Sequence, residues 1–279
     1  MDLIATLKCA DQPGIVHAMT TSVLAADGNI IENQQFTDPV TNTFVMRTRF
    51  DSGAKLSKSH EVLSAGLARF KPELNLRDNS VPKRALVMVT KESHCLRDLL
   101  YLLELGELPI EIPLVIGNHP DLKNLVESHG ISFKYLPIEP SAKARAENEI
   151  LQIIDEQQID FVVLARYMQI FSAEFCAKMS NRIINIHHSF LPGFKGAKPY
   201  HQAHAKGVKI IGATAHFVTA DLDEGPIIEQ DVAHVTHASS PEQLIAIGRD
   251  IERRVLAKAV RLFAEDRIFI VGNRTVIFN

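Results

Sequence analysis

Asn185 and His187 stand two residues apart in Asn185-Ile186-His187. A carboxamide can donate an N–H to a carbonyl oxygen that gains negative charge, and an imidazole can move a proton at neutral pH. Seven of the twelve histidines fall between His187 and His237, a stretch that also holds Asp221, Asp223 and Glu224. Such clustering marks a candidate site, and abundant histidine raises the question of a metal. Adjacent His187 and His188 are expected on opposite faces of a strand. No His-Glu-x-x-His sequence occurs and no cysteine lies close by, so the expectation is chemistry with no metal and no cofactor.

The elements that must position this pair follow from the apolar pattern. Ala85 to Val89, Pro113 to Ile116, Phe161 to Ala165 and Ile183 to Ile186 are continuous apolar runs. Helical patterns at Cys95 to Leu105, Lys143 to Gln157 and Ala173 to Met179 separate them. Runs buried on both faces and joined by helices imply an open, mostly parallel α/β sheet. Alternation sends the side chains of 185 and 187 to one face at the carboxyl end of a strand, where such sheets hold ligands. Strand-rich sequence at Lys209 to Val218 and Pro226 to Val235, a helix from about Pro241 to Phe263, and a hairpin turning at Gly272-Asn273 complete this part.

Residues 1–78 have a different rhythm. Strand Leu3 to Cys9, the turn Asp11-Gln12-Pro13-Gly14, helix Ile15 to Ala26, a hairpin of Ile30 to Thr37 with Thr43 to Phe50, helix Leu56 to Phe70 and strand Glu73 to Arg77 give βαββαβ. That order describes a ferredoxin-like sandwich of two helices on four strands. Residues 79–84 are polar, contain Pro82 and read as a linker, leaving 85–279 as the second domain.

Composition bounds the rest. The chain has 279 residues, 46% hydrophobic and 23% charged, enough for two packed domains and unlike a disordered or fibrous sequence. Thirty Lys+Arg against 33 Asp+Glu give a net charge of −3, so no basic field favours nucleic acid. Cys9, Cys95 and Cys176 are an odd number without metal-site spacing, as expected of free thiols in a reducing cytoplasm. The start, Met1-Asp2-Leu3-Ile4, lacks the basic lead of a secretory signal, and no apolar window is long enough to span a membrane.

Two longer motifs resemble a known family. Asn185-Ile186-His187-His188-Ser189-Phe190-Leu191-Pro192 and His216 through Asp223-Glu224-Gly225-Pro226-Ile227-Ile228 closely resemble the folate-dependent formyltransferases, over about Ala85 to Asn279. The resemblance implies that Asn185, His187 and Asp223 form a formyl-transfer site. Asp223 would orient His187 or activate water, and His187 would bond the formyl oxygen or manage the water's proton. The loop with Arg166, Met168, Gln169 and Ile170 would border the folate, although pattern alone makes Met168 and Ile170 core residues and leaves Arg166 a surface cation or a partner for the folate glutamate. Lys195, Gly196 and Lys198 form a basic loop suited to an anionic folate tail or formate, and His216 would support Asp223. Tyr200, His201 and His204 are expected to open a helix in structural roles, and His234 and His237 to lie on the surface.

The acceptor of the formyl group is then the question. Members that formylate glycinamide ribonucleotide carry a glycine-rich phosphate loop after their first strand; Thr90-Lys91-Glu92-Ser93-His94 stands here, with no glycine and an acid that repels phosphate. Where those transferases have proline after the catalytic histidine, this chain has His188. Asp11-Gln12-Pro13-Gly14-Ile15 and Gly28-Asn29-Ile30 resemble the turns of ACT regulatory domains, which pair with one another and bind amino acids. An ACT domain ahead of a formyltransferase-like domain, with Phe194-Lys195-Gly196-Ala197-Lys198-Pro199-Tyr200, is similar over the whole chain to the formyltetrahydrofolate deformylases. These hydrolyse 10-formyltetrahydrofolate to formate and tetrahydrofolate. The expectations are a small-molecule folate substrate, an ACT unit that either serves only for pairing or also takes an amino-acid effector such as glycine or methionine, a homodimer or homotetramer, and neither nucleic acid nor membrane as partner. Formyl transfer to an amine would instead need an acceptor before formate left the folate, and a sensing protein without catalysis would bind folate and release none.

Overall fold

The computed structural model describes residues 1–191 and 199–279. They form two compact units, Met1–Pro82 with Glu265–Asn279, and Lys83–Ala264. No helix among the described residues is long and apolar enough to cross a membrane.

In the first unit the order is β1 (Asp2–Ala10), α1 (Ile15–Ala25), β2 (Gly28–Asp38), β3 (Thr43–Ser52), α2 (Leu56–Leu67) and β4 (Glu73–Asp78). The antiparallel sheet runs β2-β3-β1-β4, so the two middle strands are β3 and β1. Odd residues of β1, Leu3, Ala5, Leu7 and Cys9, face Ile15, Met19 and Val23 of α1 and Leu63 and Leu67 of α2. This is strand alternation meeting helical i, i+4, i+8 spacing.

The second unit contains β5 (Lys83–Val89), α3 (His94–Glu104), β6 (Ile110–Gly117), α4 (Lys123–Glu127), β7 (Ser132–Tyr135), α5 (Lys143–Glu156) and β8 (Phe161–Ala165). Then come α6 (Ala173–Lys178), β9 (Ile183–His187), α7 (Pro199–Lys206), β10 (Ile210–Phe217), β11 (Ile227–His234) and α8 (Pro241–Ala264). The sheet order is β11-β10-β9-β8-β5-β6-β7. The pairs from β9 through β7 are parallel, and β10 and β11 add antiparallel strands at one side. Leu86, Met88, Val162, Leu164 and Ile183 pack one sheet face against Ile150 and Ile154 of α5 and Phe175 of α6. The strand order reverses between β5 and β8, so the loops that follow them diverge and open a crevice at their carboxyl ends.

The terminal hairpin, β12 (Ile268–Val271) and β13 (Arg274–Ile277), differs from expectation. It belongs to the first unit rather than to an 85–279 domain. Phe269, Val271 and Phe278 pack on Val45, which β3 turns to the sheet face opposite the helices. Arg47, buried on the same strand, bonds Glu32 at 2.8 Å and the Glu265 carbonyl at 2.9 Å, and Arg267 reaches Glu32 at 3.0 Å. The linker is shorter than residues 79–84, because β5 already begins at Lys83.

Candidate active site

Strand β9 delivers Asn185 and His187 from alternate positions, and both line a cavity of about 290 Å³. Antiparallel pairing sets His216 of β10 directly opposite Asn185, and opposite residues share a face within contact distance. Asn185 Nδ2 and His216 Nε2 are 3.2 Å apart. His216 Nδ1 lies 2.9 Å from the Phe217 carbonyl oxygen, an atom that only accepts, so Nδ1 carries the hydrogen. In the neutral ring Nε2 therefore accepts from the Asn185 amide, and that network fixes the amide's orientation. An amide has two N–H donors, so Asn185 keeps a second for another acceptor.

Asp223 comes from the loop between β10 and β11, where its φ of 58° is left-handed, a conformation that short polar side chains tolerate. Two residues on, any side chain at Gly225 would collide with the Phe217 carbonyl, and Phe217 N donates to the Pro226 carbonyl at 2.9 Å. The loop is thereby pinned to the end of β10. Asp223 Oδ2 lies 3.3 Å from His187 Nδ1, and Oδ1 lies 3.5 Å from His216 Nε2. Hydrogen bonding to the His187 ring, with the His216 ring close by, holds the Asp223 carboxyl well below the usual carboxylate range, against the burial that pushes it up. With Nδ1–H directed at Asp223, His187 is left with Nε2, which is buried and has no hydrogen-bond partner among the described residues.

Arg166, Met168, Gln169 and Ile170 line the same cavity, at the carboxyl end of β8. Met168 and Ile170 are 56% and 60% exposed, which corrects the pattern-based assignment to the core: they form an apolar rim. Met168 N donates to Thr90 Oγ1 at 3.0 Å, tying this loop to the one after β5. Lys195, Gly196 and Lys198 lie outside the described residues. Tyr200, His201 and His204 belong to α7 as expected, and His234 and His237 are exposed.

Two expectations need correction. His187 and His188 do not separate onto opposite faces, because β9 ends at His187. Both rings line the cavity, with centroids 5.2 Å apart. Arg166 is no surface cation: it is largely buried, and its Nε lies 3.4 Å from Glu252 Oε2.

Glu252 was not foreseen. It sits on the buried stripe of α8 among Gly248, Ile251, Val255 and Leu256, and an acid at that spacing is a readable anomaly. His94 Nε2 is 2.8 Å away and the Tyr200 hydroxyl donates to it at 2.7 Å. Burial pushes its carboxyl up, but His94, Arg166 and Tyr200 together outweigh this and hold the group below its ordinary value. Gly248 makes room for Tyr200, since a methyl there would meet the phenol ring and hydroxyl. Gly248→Ala is therefore expected to destabilise the fold by ~1–3 kcal/mol through overpacking, read as a lower urea midpoint at unchanged slope.

His94, Cys95 and Glu252 are the described trio whose ligand atoms lie within 4.8 Å of one another. Burial keeps the Cys95 thiol far above its ordinary pKa, and the Arg166 guanidinium already faces Glu252, so this donor set suits hydrogen bonding and ion pairing better than a cation.

His188 is half-buried, and burial first, then the charges of Arg166 and His187, push its pKa down to about 4, with Glu252 and Asp223 pulling the other way. Between the usual histidine value near 6.5 and about 4 the unfolded chain binds this proton and the folded chain does not. Stability from His188 is thus complete above that window and lost as pH falls through it. The melting temperature is expected to drop over this range by less in His188→Asn than in the wild type.

A family model described as formyl transferase matches residues 83–260. Formyltetrahydrofolate deformylase of Synechocystis sp. is 48% identical over 99% of this chain and 99% of its own. The protein of the same name from Corynebacterium sp. is 45% identical over 98% and 97%. A crystal structure of formyltetrahydrofolate deformylase from Burkholderia mallei superimposes with a TM-score of 0.96, at 44% identity over 100% of this chain and 99% of that one. Glycinamide ribonucleotide transformylase 1 from Symbiobacterium toebii matches 73% of the chain, and 97% of its own, with a TM-score of 0.67 and 30% identity. By sequence over nearly its whole length, and by fold, the chain belongs to the formyltetrahydrofolate deformylase family, with a formyl transferase domain over residues 83–260.

Proposed function

We propose that this protein hydrolyses 10-formyltetrahydrofolate to formate and tetrahydrofolate, using Asn185, His187 and Asp223. Family membership supports the reaction, and the observation that carries the assignment of roles is the His187–Asp223 pair, which leaves one imidazole nitrogen unpaired in the cavity wall. Asp223, kept ionised, holds His187 in the tautomer with Nδ1–H and its lone pair at Nε2. His187 Nε2 takes a proton from water as its oxygen attacks the formyl carbon. The imidazolium so formed faces the Asp223 carboxylate, which stabilises it. Asn185, steadied by His216, donates its second N–H to the developing oxyanion, a role typically worth ~3–4 kcal/mol. The proton then passes to N10 as the C–N bond breaks.

The apolar rim of Met168 and Ile170 suits the flat folate ring, and Gln169 offers it hydrogen bonds. Lys195 and Gly196 are assigned to the anionic end of the folate from the sequence. In the first unit the βαββαβ order and the β2-β3-β1-β4 sheet support an ACT domain. On this reading it pairs with copies of itself as a homodimer or homotetramer and takes an amino-acid effector such as glycine or methionine. The working location is the cytoplasm, in keeping with three free cysteines.

Purified protein mixed with 10-formyltetrahydrofolate and no amine tests the reading. Formate and tetrahydrofolate are expected in equal amounts. Release only after an amine is added would make the protein a transferase, and binding without release would make it a sensor.

A further inference from the structure

Water bound for attack must turn a lone pair toward the carbon and both O–H bonds away from it, so it needs two acceptors. His187 Nε2 is one. Asp223 Oδ2 faces His187 Nδ1 at 3.3 Å and Asn185 Nδ2 faces His216 Nε2 at 3.2 Å, so both side chains are already held in pairs. His188 offers the second, because β9 stops one residue before it and its ring turns into the same cavity. That ring is held between the rings of His187 and Tyr200, at centroid distances of 5.2 and 6.5 Å, and its nitrogens have no hydrogen-bond partner among the described residues. The Tyr200 hydroxyl gives its hydrogen to Glu252 at 2.7 Å and has none left for a His188 lone pair. Burial and the nearby Arg166 keep the His188 ring neutral at physiological pH, so one of its nitrogens is an acceptor.

We propose that His188 holds the attacking water, accepting one O–H while His187 Nε2 accepts the other. The inference rests on the hydrolytic reading above and adds a residue to it. The oxygen–carbon bond forms, His187 takes the proton, the C–N10 bond breaks and N10 receives that proton. His188 keeps a hydrogen bond throughout and takes no proton. Formic acid leaves as formate, and the remaining acidic proton goes to solvent.

The test uses the full chain with His188→Phe, which keeps a flat ring without an acceptor, and His188→Asn, which restores one. Formate is followed from 10-formyltetrahydrofolate alone, and formohydroxamate with hydroxylamine as a nucleophile that needs no held water. His188→Phe is expected to lower kcat for formate by ~100-fold or more with KM little changed, and His188→Asn to recover part of it. Formohydroxamate should fall far less than formate in the Phe variant. Equal loss of both products, or Asn no better than Phe, would overturn the assignment, as would an unchanged kcat. If His188→Phe does not fold, His188→Ala replaces it with the same two readouts. Wild-type protein that forms formohydroxamate but no formate would instead overturn the hydrolytic reading itself, and the role of His188 with it.

Discussion

Replacing His187 by alanine is expected to lower kcat for formate release by ~10²–10⁴-fold, the usual contribution of a positioned acid–base group. On the proposed mechanism the size follows from two uses of the ring, which takes the water's proton and returns it to N10. Asp223 holds one ring nitrogen at 3.3 Å and leaves the other unpaired in the cavity wall. Because the side chain sits at the end of β9 and lines a cavity, its loss should leave folding intact. The check is kcat alongside the melting temperature and the affinity for tetrahydrofolate. Near-wild-type turnover with an intact fold would remove His187 from the proton path.

Asn185→Ala should cost ~10²–10³-fold in kcat, as removing a single oxyanion donor does. The amide is steadied by His216, itself buried and fixed by the Phe217 carbonyl, so it is set before substrate arrives. That is the condition under which a neutral donor stabilises a transition state without reorganising. Asn185→Asp separates charge from shape: its carboxylate would repel the oxyanion, and turnover should fall at least as far as in the alanine variant. Both are read from the pre-steady-state rate of formate release. An unchanged rate in Asn185→Ala would assign oxyanion stabilisation to another group.

Much of this site was legible before the structure. Two-residue alternation at the end of an apolar run put Asn185 and His187 on one face, and β9 places them so. The continuous runs at 85–89, 161–165 and 183–186 became parallel strands, because strands buried on both faces leave no polar alternation. Short elements were silent: α4 and β7, at five and four residues, are too brief to show a period. Alternation misled at His188, since the strand ended one residue earlier. The Glu252 cluster draws His94, Arg166 and Tyr200 from separate segments, and no local pattern connects them. The same holds for the terminal hairpin, whose Phe269 and Phe278 find Val45 across most of the chain.

The central claim is that solvent itself attacks the formyl carbon at the Asn185, His187 and Asp223 site. A single turnover of 10-formyltetrahydrofolate in water enriched in oxygen-18, followed by mass analysis of the formate, tests this most directly. Formate carrying solvent oxygen, formed with no amine present and lost in His187→Ala, is the expected result. Formate without the label, or labelled formate at the wild-type rate from the His187→Ala protein, would contradict it.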